Sequence, residues 1–312
     1  MTKKEILFLT IGILTGASAL LFTTIPVPVQ ENNVVVGDTL QGARPYFGHS
    51  SSPPIPAELS FAGEKVDLDK WYIRERLERE LVVASYSYSL TLMSLKRAGR
   101  WLPMIEDIFK REGVPDDLKY LVIAESNLTN AISPAEAVGF WQILEKTGKS
   151  YGLIINKEVD QRYDPVKATL AAVKYLKRAK DNFGSWTLAA AAYNAGMRGI
   201  GSKLEAQGES DYFSLHMADE TARYVFRAMA YKLIHQNPDV YGYFLSQDQY
   251  YKPLRTYEIE VTGTVQSWIT FAKAEGITYA QLKYYNPWIR DSKLVNKNRD
   301  TFIVKIPVSE VR

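Results

Sequence analysis

One carboxylate sits where a folded chain ordinarily puts an apolar side chain. In the stretch LKYLVIAESNL, Leu118, Leu121, Val122 and Glu125 fall at i, i+3, i+4 and i+7, so one helix face carries three aliphatic side chains and a glutamate. Burying a carboxyl disfavours its charged form and raises its pKa, the condition a general acid needs near neutral pH. The same placement also suits a structural glutamate met by an Arg or Lys, or one that reaches solvent at the helix end. Two other strings bring amides and aromatics. Gly139-Phe140-Trp141-Gln142 offers close backbone approach, an apolar ring face at Trp141 and an amide. Ala192-Tyr193-Asn194-Ala195-Gly196 adds a phenol and a second amide. Donors and acceptors of this kind suit a sugar. Equally, Ala189, Ala190 and Tyr193 at helical spacing describe a packed core helix ending at Gly196, with Asn194 serving only its own turn.

Composition narrows what else the chain can do. Across 312 residues, 38 Lys and Arg stand against 35 Asp and Glu, a formal net charge of +3, so charge gives no argument for a nucleic-acid partner. The absence of cysteine removes disulfides, thiolate zinc sites and a cysteine nucleophile. His49, His216 and His235 are scattered, and the H-E-x-x-H, G-x-S-x-G, P-loop and G-x-G-x-x-G patterns do not occur. Chemistry must rest on carboxylates, hydroxyls and amides, with no metal or cofactor expected.

The elements that position these residues form a sequence of distinct regions. Lys3 and Lys4 precede a charge-free run over 6–25, long enough to cross a hydrocarbon core of roughly 30 Å as a helix. We expect a signal or anchor over 1–26. Ala17 and Ala19 would suit a signal peptidase, but a cut there leaves Leu20, Leu21 and Phe22 on the new end, which favours an uncleaved anchor with the rest of the chain outside the cytoplasm. Residues 27–67 show little periodicity and hold Pro53-Pro54 and several serines and glycines, the composition of a flexible linker. A mainly α domain follows over 68–250, its periodicity carried by Leu77, Leu81, Ala84, Leu102, Ile105, Ile108 and Phe109. Asp164-Pro165 reads as an N-cap and first helical position. Over 254–312 the period changes: Tyr257, Ile259 and Val261, and later Phe302, Val304 and Ile306, alternate with polar residues around two short helical stretches, a small α+β unit in β-α-α-β order.

Taken in order, Glu125-Ser126, Gly139-Phe140-Trp141-Gln142, Ala192-Tyr193-Asn194 and Glu220-Thr221-Ala222-Arg223-Tyr224-Val225 resemble the four successive motifs of the soluble lytic transglycosylase family. Phe140-Trp141 stands where Leu-Met is commoner and suits the membrane-bound type, while Glu136 occupies a place where a small residue is usual. The resemblance implies a lysozyme-like helical domain that cleaves the bond between N-acetylmuramic acid and N-acetylglucosamine in peptidoglycan without consuming water. It implies Glu125 as catalytic acid and then base, and Ser126, Gly139, Gln142, Tyr193, Asn194 and Tyr224 as residues of the substrate site. The partners implied are peptidoglycan glycan strands, in the cell envelope. The stretch TYEIEVTGTVQSWITFAKAEGITYAQLKYYNPW, closed by TFIVKIP, is similar to LysM modules, which bind N-acetylglucosamine-containing glycans. Gly263-Thr264-Val265 stands where Gly-Asp-Thr is usual, and Trp268, Phe271 and Leu282 serve equally for a structural cap. Val36-Gly37-Asp38-Thr39-Leu40 resembles a LysM opening, but no helix follows it and we read it as coincidence.

Overall fold

The structure, a computed structural model, describes residues 51–308. The charge-free run at 6–25 and the stretch at 36–40 lie outside the described residues. Among the described residues no helix is long and apolar enough to cross a membrane.

Part of the expected linker belongs to the fold. Strand β1 (Leu59–Phe61) pairs antiparallel with β2 (Glu64–Val66) across Ala62 and Gly63, whose φ angles of 53° and 81° are the two positive values of a type I′ hairpin turn. Leu59, Phe61 and Val66 are buried in the helical core. The turn is pinned electrostatically: Asp117 Oδ2 accepts from the Ala62 N–H and from Lys232 Nζ, both at 2.8 Å, and Lys232 Nζ also donates to the Ser60 carbonyl at 2.7 Å. Strands of three residues are too short for alternation to show above a Pro- and Ser-rich background, which explains the misreading.

The helical domain is as expected in class. Helices α1 (Trp71–Tyr86) and α2 (Tyr88–Glu112) bury the aliphatic residues named above, and α2 ends at Gly113 in the left-handed conformation. A 3₁₀ turn over Asp116–Lys119 leads into α3 (Tyr120–Ser126), and α4 (Glu145–Ser150) follows a loop. Helix α5 (Pro165–Phe183) starts where the sequence indicates, with the Asp164 carboxylate accepting from the Val166 and Lys167 N–H groups. Then come α6 (Trp186–Ala195), α7 (Met197–Gln207) and α8 (Asp219–Gln236). Packed by α1, α3 and α6, α8 is buried through Tyr224, Val225, Phe226, Ala228, Met229 and Ala230.

The C-terminal module shows the expected β-α-α-β order: β3 (Thr256–Val261), α9 (Trp268–Ala274), α10 (Tyr279–Tyr285) and β4 (Phe302–Pro307). The strands pair antiparallel from Thr256↔Pro307 to Val261↔Phe302. Phe302, Val304 and Ile306 point inward on one face, as their alternation predicts, against Trp268, Leu282 and Trp288. Val159, far away in the helical domain's sequence, also lies in this second core. The separation in sequence at 250–254 is therefore not the separation in space.

Candidate active site

Glu125 is the last residue but one of α3, a helix of seven residues. Leu118, Leu121 and Val122 bury the rest of its face, and the chain then turns sharply through Asn127 and Leu128, at φ 55° and 57°. Two consecutive non-glycine residues in this region cost of order 1–3 kcal/mol each and persist only when the surroundings hold them. Here Asn127 Nδ2 donates to the Leu90 carbonyl at 2.8 Å and Arg97 donates to the Asn127 carbonyl at 3.2 Å.

The Glu125 carboxyl keeps a little open surface, yet protein atoms surround it closely enough that burial dominates its titration. Desolvation pushes its pKa up to about 7, with Glu220 adding to the rise, while the Tyr224 hydroxyl and the Arg227 charge pull the other way. Tyr224, on α8, donates to Glu125 Oε1 at 2.5 Å. Arg227, one turn further along, does not neutralise Glu125 because it is engaged elsewhere. Its guanidinium pairs with Glu220 at 3.1 Å and with Glu80 at 3.5 Å. The alternative left open by the sequence, a structural glutamate paired with a cation, therefore describes Glu80 and not Glu125. Glu80 is fully buried on α1 between Arg223 (2.6 Å) and Arg227.

The Gly139–Gln142 string forms a tight loop rather than a sugar platform. Gly139 has φ +82°, and a Cβ there would lie 2.0 Å from the Arg162 carbonyl, so only glycine fits. Trp141 is fully buried and its indole N–H donates to Thr169 on α5 at 2.9 Å, which corrects the reading of its ring as a ligand face. Gln142, at φ 45°, folds its amide back to donate to the Gly139 and Ala131 carbonyls. Glu136 lies in the same loop at φ 61°, and its carbonyl accepts from Arg162 at 3.2 Å, so it acts on loop shape. Ser126 is buried too. Its hydroxyl donates to the Phe140 carbonyl at 2.7 Å, tying the end of α3 to this loop rather than orienting the carboxyl.

Helix α6 supplies the third side of the site. Tyr193 donates to the Trp141 carbonyl at 2.8 Å, and its own pKa is pushed far up by burial and by the neighbouring Glu125 charge. Asn194 Oδ1 accepts from Thr221 of α8 at 2.9 Å, so it bridges two helices rather than serving its own turn. Gln142, Tyr193 and Asn194 together line a cleft of about 290 Å³ with Tyr151, Tyr175 and Gly196. None of the described residues lining it is an Asp or a Glu.

Of the seven residues singled out in the sequence, Glu125 and Tyr224 meet directly, and Tyr193, Asn194 and Gln142 flank the cleft. Gly139 and Ser126 fix backbone. Two contributors escaped sequence reasoning. Glu80 carries the same signal as Glu125, since Leu77, Glu80, Leu81 and Ala84 also stand at i, i+3, i+4 and i+7. Glu64, from the misread linker, caps the start of α6: its carboxylate accepts from the Trp186 N–H and from Thr187 Oγ1 at 2.6 Å. Burial works to raise the Glu64 pKa, but these hydrogen bonds and that from Ser185 outweigh it and hold the carboxyl below its ordinary value. No local sequence pattern links Glu64 to a helix more than a hundred residues away.

The helical domain thus holds a buried carboxyl, Glu125, against a phenol, Tyr224, and close to Tyr193, which lines a cleft of phenols and amides. Comparison with known proteins gives two domain matches: residues 103–215 match the Transglycosylase SLT domain, and 257–310 match the Soluble lytic transglycosylase C-terminal LysM-like domain. The chain carries a lysozyme-like SLT domain followed by that LysM-like domain. It is 33% identical over 228 residues to the protein named Membrane-bound lytic murein transglycosylase D in two strains of Escherichia coli. That alignment covers 71% of this chain and 49% of each relative, so the chain spans about half the length of the curated relatives it matches. The SLT match ends before Tyr224, which geometry alone joins to Glu125.

Proposed function

We propose that the chain is a lytic transglycosylase of peptidoglycan, cleaving the bond between N-acetylmuramic acid and N-acetylglucosamine with Glu125 as acid and then base. The observation that carries this reading is the state of Glu125, a carboxyl with its pKa pushed up to about 7, bonded to a neutral phenol and close to Tyr193, which lines the neighbouring cleft. Protonated Glu125 gives its proton to the glycosidic oxygen as the bond to the muramic C1 breaks. Inverting and retaining glycosidases with a carboxylate pair use the second member to activate water or to attack C1. In this reading no second member is assigned, and the substrate's own N-acetyl oxygen stabilises C1, as in substrate-assisted glycosidases. Ionised Glu125 then takes the proton of the muramic C6 hydroxyl, whose oxygen closes on C1 to form the 1,6-anhydro ring. The proton count balances, and Glu125 ends protonated as it began.

In this reading Tyr224 holds Oε1 of Glu125, and Tyr193 and Asn194 bind substrate from α6. Gly139, Gln142 and Ser126 set the loop beneath it. The catalytic domain begins with the β1–β2 hairpin rather than at 68, and the module over 254–312 adds affinity for glycan strands. The charge-free run at 6–25, behind Lys3 and Lys4, would anchor the enzyme to a membrane with its domains on the periplasmic side. The name of the relatives, membrane-bound, supports that placement.

The deciding experiment is mass spectrometry of purified peptidoglycan digested by the full chain and by Glu125→Gln. We expect muropeptides lighter than hydrolysed ones by one water, with the rate reduced roughly a thousandfold in the variant. Products that have gained water would make the enzyme a muramidase on the same scaffold. No product from either protein, on a substrate that a control enzyme digests, would leave a glycan-binding protein.

A further inference from the structure

The segment 154–163 connects the two cores. It folds as a small hairpin: Ile155 bridges Asp160, the Asn156 N–H donates to the Val159 carbonyl at 2.7 Å, and Asn156 Oδ1 accepts from the Glu158 and Val159 N–H groups. Its tip is held by the C-terminal module. Val159 is buried among Trp268, Trp288, Ile289 and Leu294, and pairs with Ile289 as an isolated bridge. The Asp160 N–H donates to the Trp288 carbonyl at 2.9 Å, the Arg290 N–H to the Glu158 carbonyl at 2.8 Å, and the Val295 N–H to Glu158 Oε2 at 2.9 Å. The Arg290 guanidinium lies 4.1 Å above the Tyr163 ring.

The base of the hairpin faces the catalytic loop. Asp160 and Arg162 form a buried pair, with Arg162 Nη2 2.7 Å from Asp160 Oδ2. The same guanidinium donates to the Glu136 and Ile143 carbonyls, both at 3.2 Å, clasping the two ends of the loop that holds Gly139, Trp141 and Gln142. The Arg162 carbonyl packs against Gly139, and Asn130 donates to the Tyr163 carbonyl at 3.3 Å. From that loop, the Phe140 and Trp141 carbonyls accept from Ser126, beside Glu125, and from Tyr193. An unbroken series of packed and hydrogen-bonded groups thus runs from the module to the acid.

The geometry points to the C-terminal module as a brace of the active site: by seating Val159 and gripping Glu158 it fixes Arg162, and through Arg162 the 136–143 loop against which Glu125 works. Val159, Glu158 and Arg162 are positioning residues, and the effect on turnover rests on the transglycosylase reading above. Small displacements of a positioned group cost up to about a hundredfold in rate. The LysM-like fold accordingly has a second task besides holding glycan, and its face around 288–295 is occupied by the helical domain.

The test uses the full chain with Val159→Asp, which puts a charge into the seat, and Val159→Ile as the conservative control. Amide hydrogen exchange is followed by mass spectrometry, alongside turnover at saturating soluble peptidoglycan fragments and pelleting with insoluble peptidoglycan. The brace requires three results from Val159→Asp. Exchange over 131–143 quickens at least tenfold while that over α5 stays unchanged, turnover falls ten- to a hundredfold, and pelleting stays within twofold of the parent. Val159→Ile restores all three. Glu158→Ala, which removes only the carboxylate grip, gives the same local exchange signature in weaker form. Unchanged exchange over 131–143 in Val159→Asp overturns the brace, as does turnover within twofold of the parent. Should Val159→Asp lose protection throughout the chain, Glu158→Ala decides alone, and unchanged exchange over 131–143 there overturns it. A parent without activity would break the transglycosylase reading, while the exchange result would still decide the mechanical link.

Discussion

Glu80 and Glu125 each stand on the apolar face of a helix, Glu80 among Leu77, Leu81 and Ala84 and Glu125 after Leu121 and Val122. Their surroundings are opposite. Glu80 on α1 is clamped between Arg223 and Arg227, whereas Glu125 on α3 receives one phenolic hydrogen bond and shares Arg227 with two nearer carboxylates. The first carboxyl sits between two guanidinium groups, and the second is desolvated, which raises its pKa to about 7. The lesson is that periodicity finds buried carboxyls, but only the inventory of cations around each one separates a strut from an acid.

The sharpest way to break that contrast is to remove the compensated partner. Glu80→Ala leaves two arginines facing each other without their shared carboxylate, and we expect a loss of about 3 kcal/mol of stability, read by urea unfolding at pH 7. A change below 1 kcal/mol would mean that solvent already screens the pair.

Glu125→Gln should do the reverse. Because the folded pKa lies above the ordinary value of 4.5, the folded protein binds the extra proton between about pH 4.5 and 7, and stability falls as pH rises through that window. The variant, which has no charge to bury, should gain on the parent as pH rises and exceed it by up to about 3 kcal/mol at pH 8, with little difference at pH 4. Thermal unfolding at the two pH values checks this. A pH-independent difference would show that Glu125 titrates normally.

The smallest effect sharpens the comparison by one atom. Tyr224→Phe deletes the hydrogen bond that lowers the Glu125 pKa, so the alkaline limb of the turnover profile, set by loss of the acid near pH 7, should move to higher pH by a fraction of a unit. A shift to lower pH would mean that the phenol stabilises the protonated acid instead.

Residues that break local rules marked the candidates, and the order of the four motifs joined them into one site. A glutamate on an apolar face, glycine before a buried aromatic pair and an asparagine closing an alanine-rich helix are each visible within one turn or loop. The class of both domains followed from the change of period near 254, and the start of α5 from Asp164-Pro165. What stayed hidden depends on partners distant in the chain. The hairpin at 59–66 was lost in a Pro- and Ser-rich background, and with it Glu64, whose role exists only because α6 begins beside it. Trp141 stayed open between a ligand face and a core because a tryptophan suits both until its neighbours are known.

The sequence by itself determined that cysteine chemistry is excluded, that Glu125 falls on the apolar face of its helix, and that a small α+β module follows a helical domain. Those are properties of composition and of spacing within one element. The tertiary structure decided which buried glutamate is paired with arginines, that Ser126 and Gln142 bind backbone, and that Val159 crosses into the core of the other module. The physical reason is that desolvation and charge compensation are sums over everything packed around a group, and α1, α3, α6 and α8 bring those groups together only when the chain is folded.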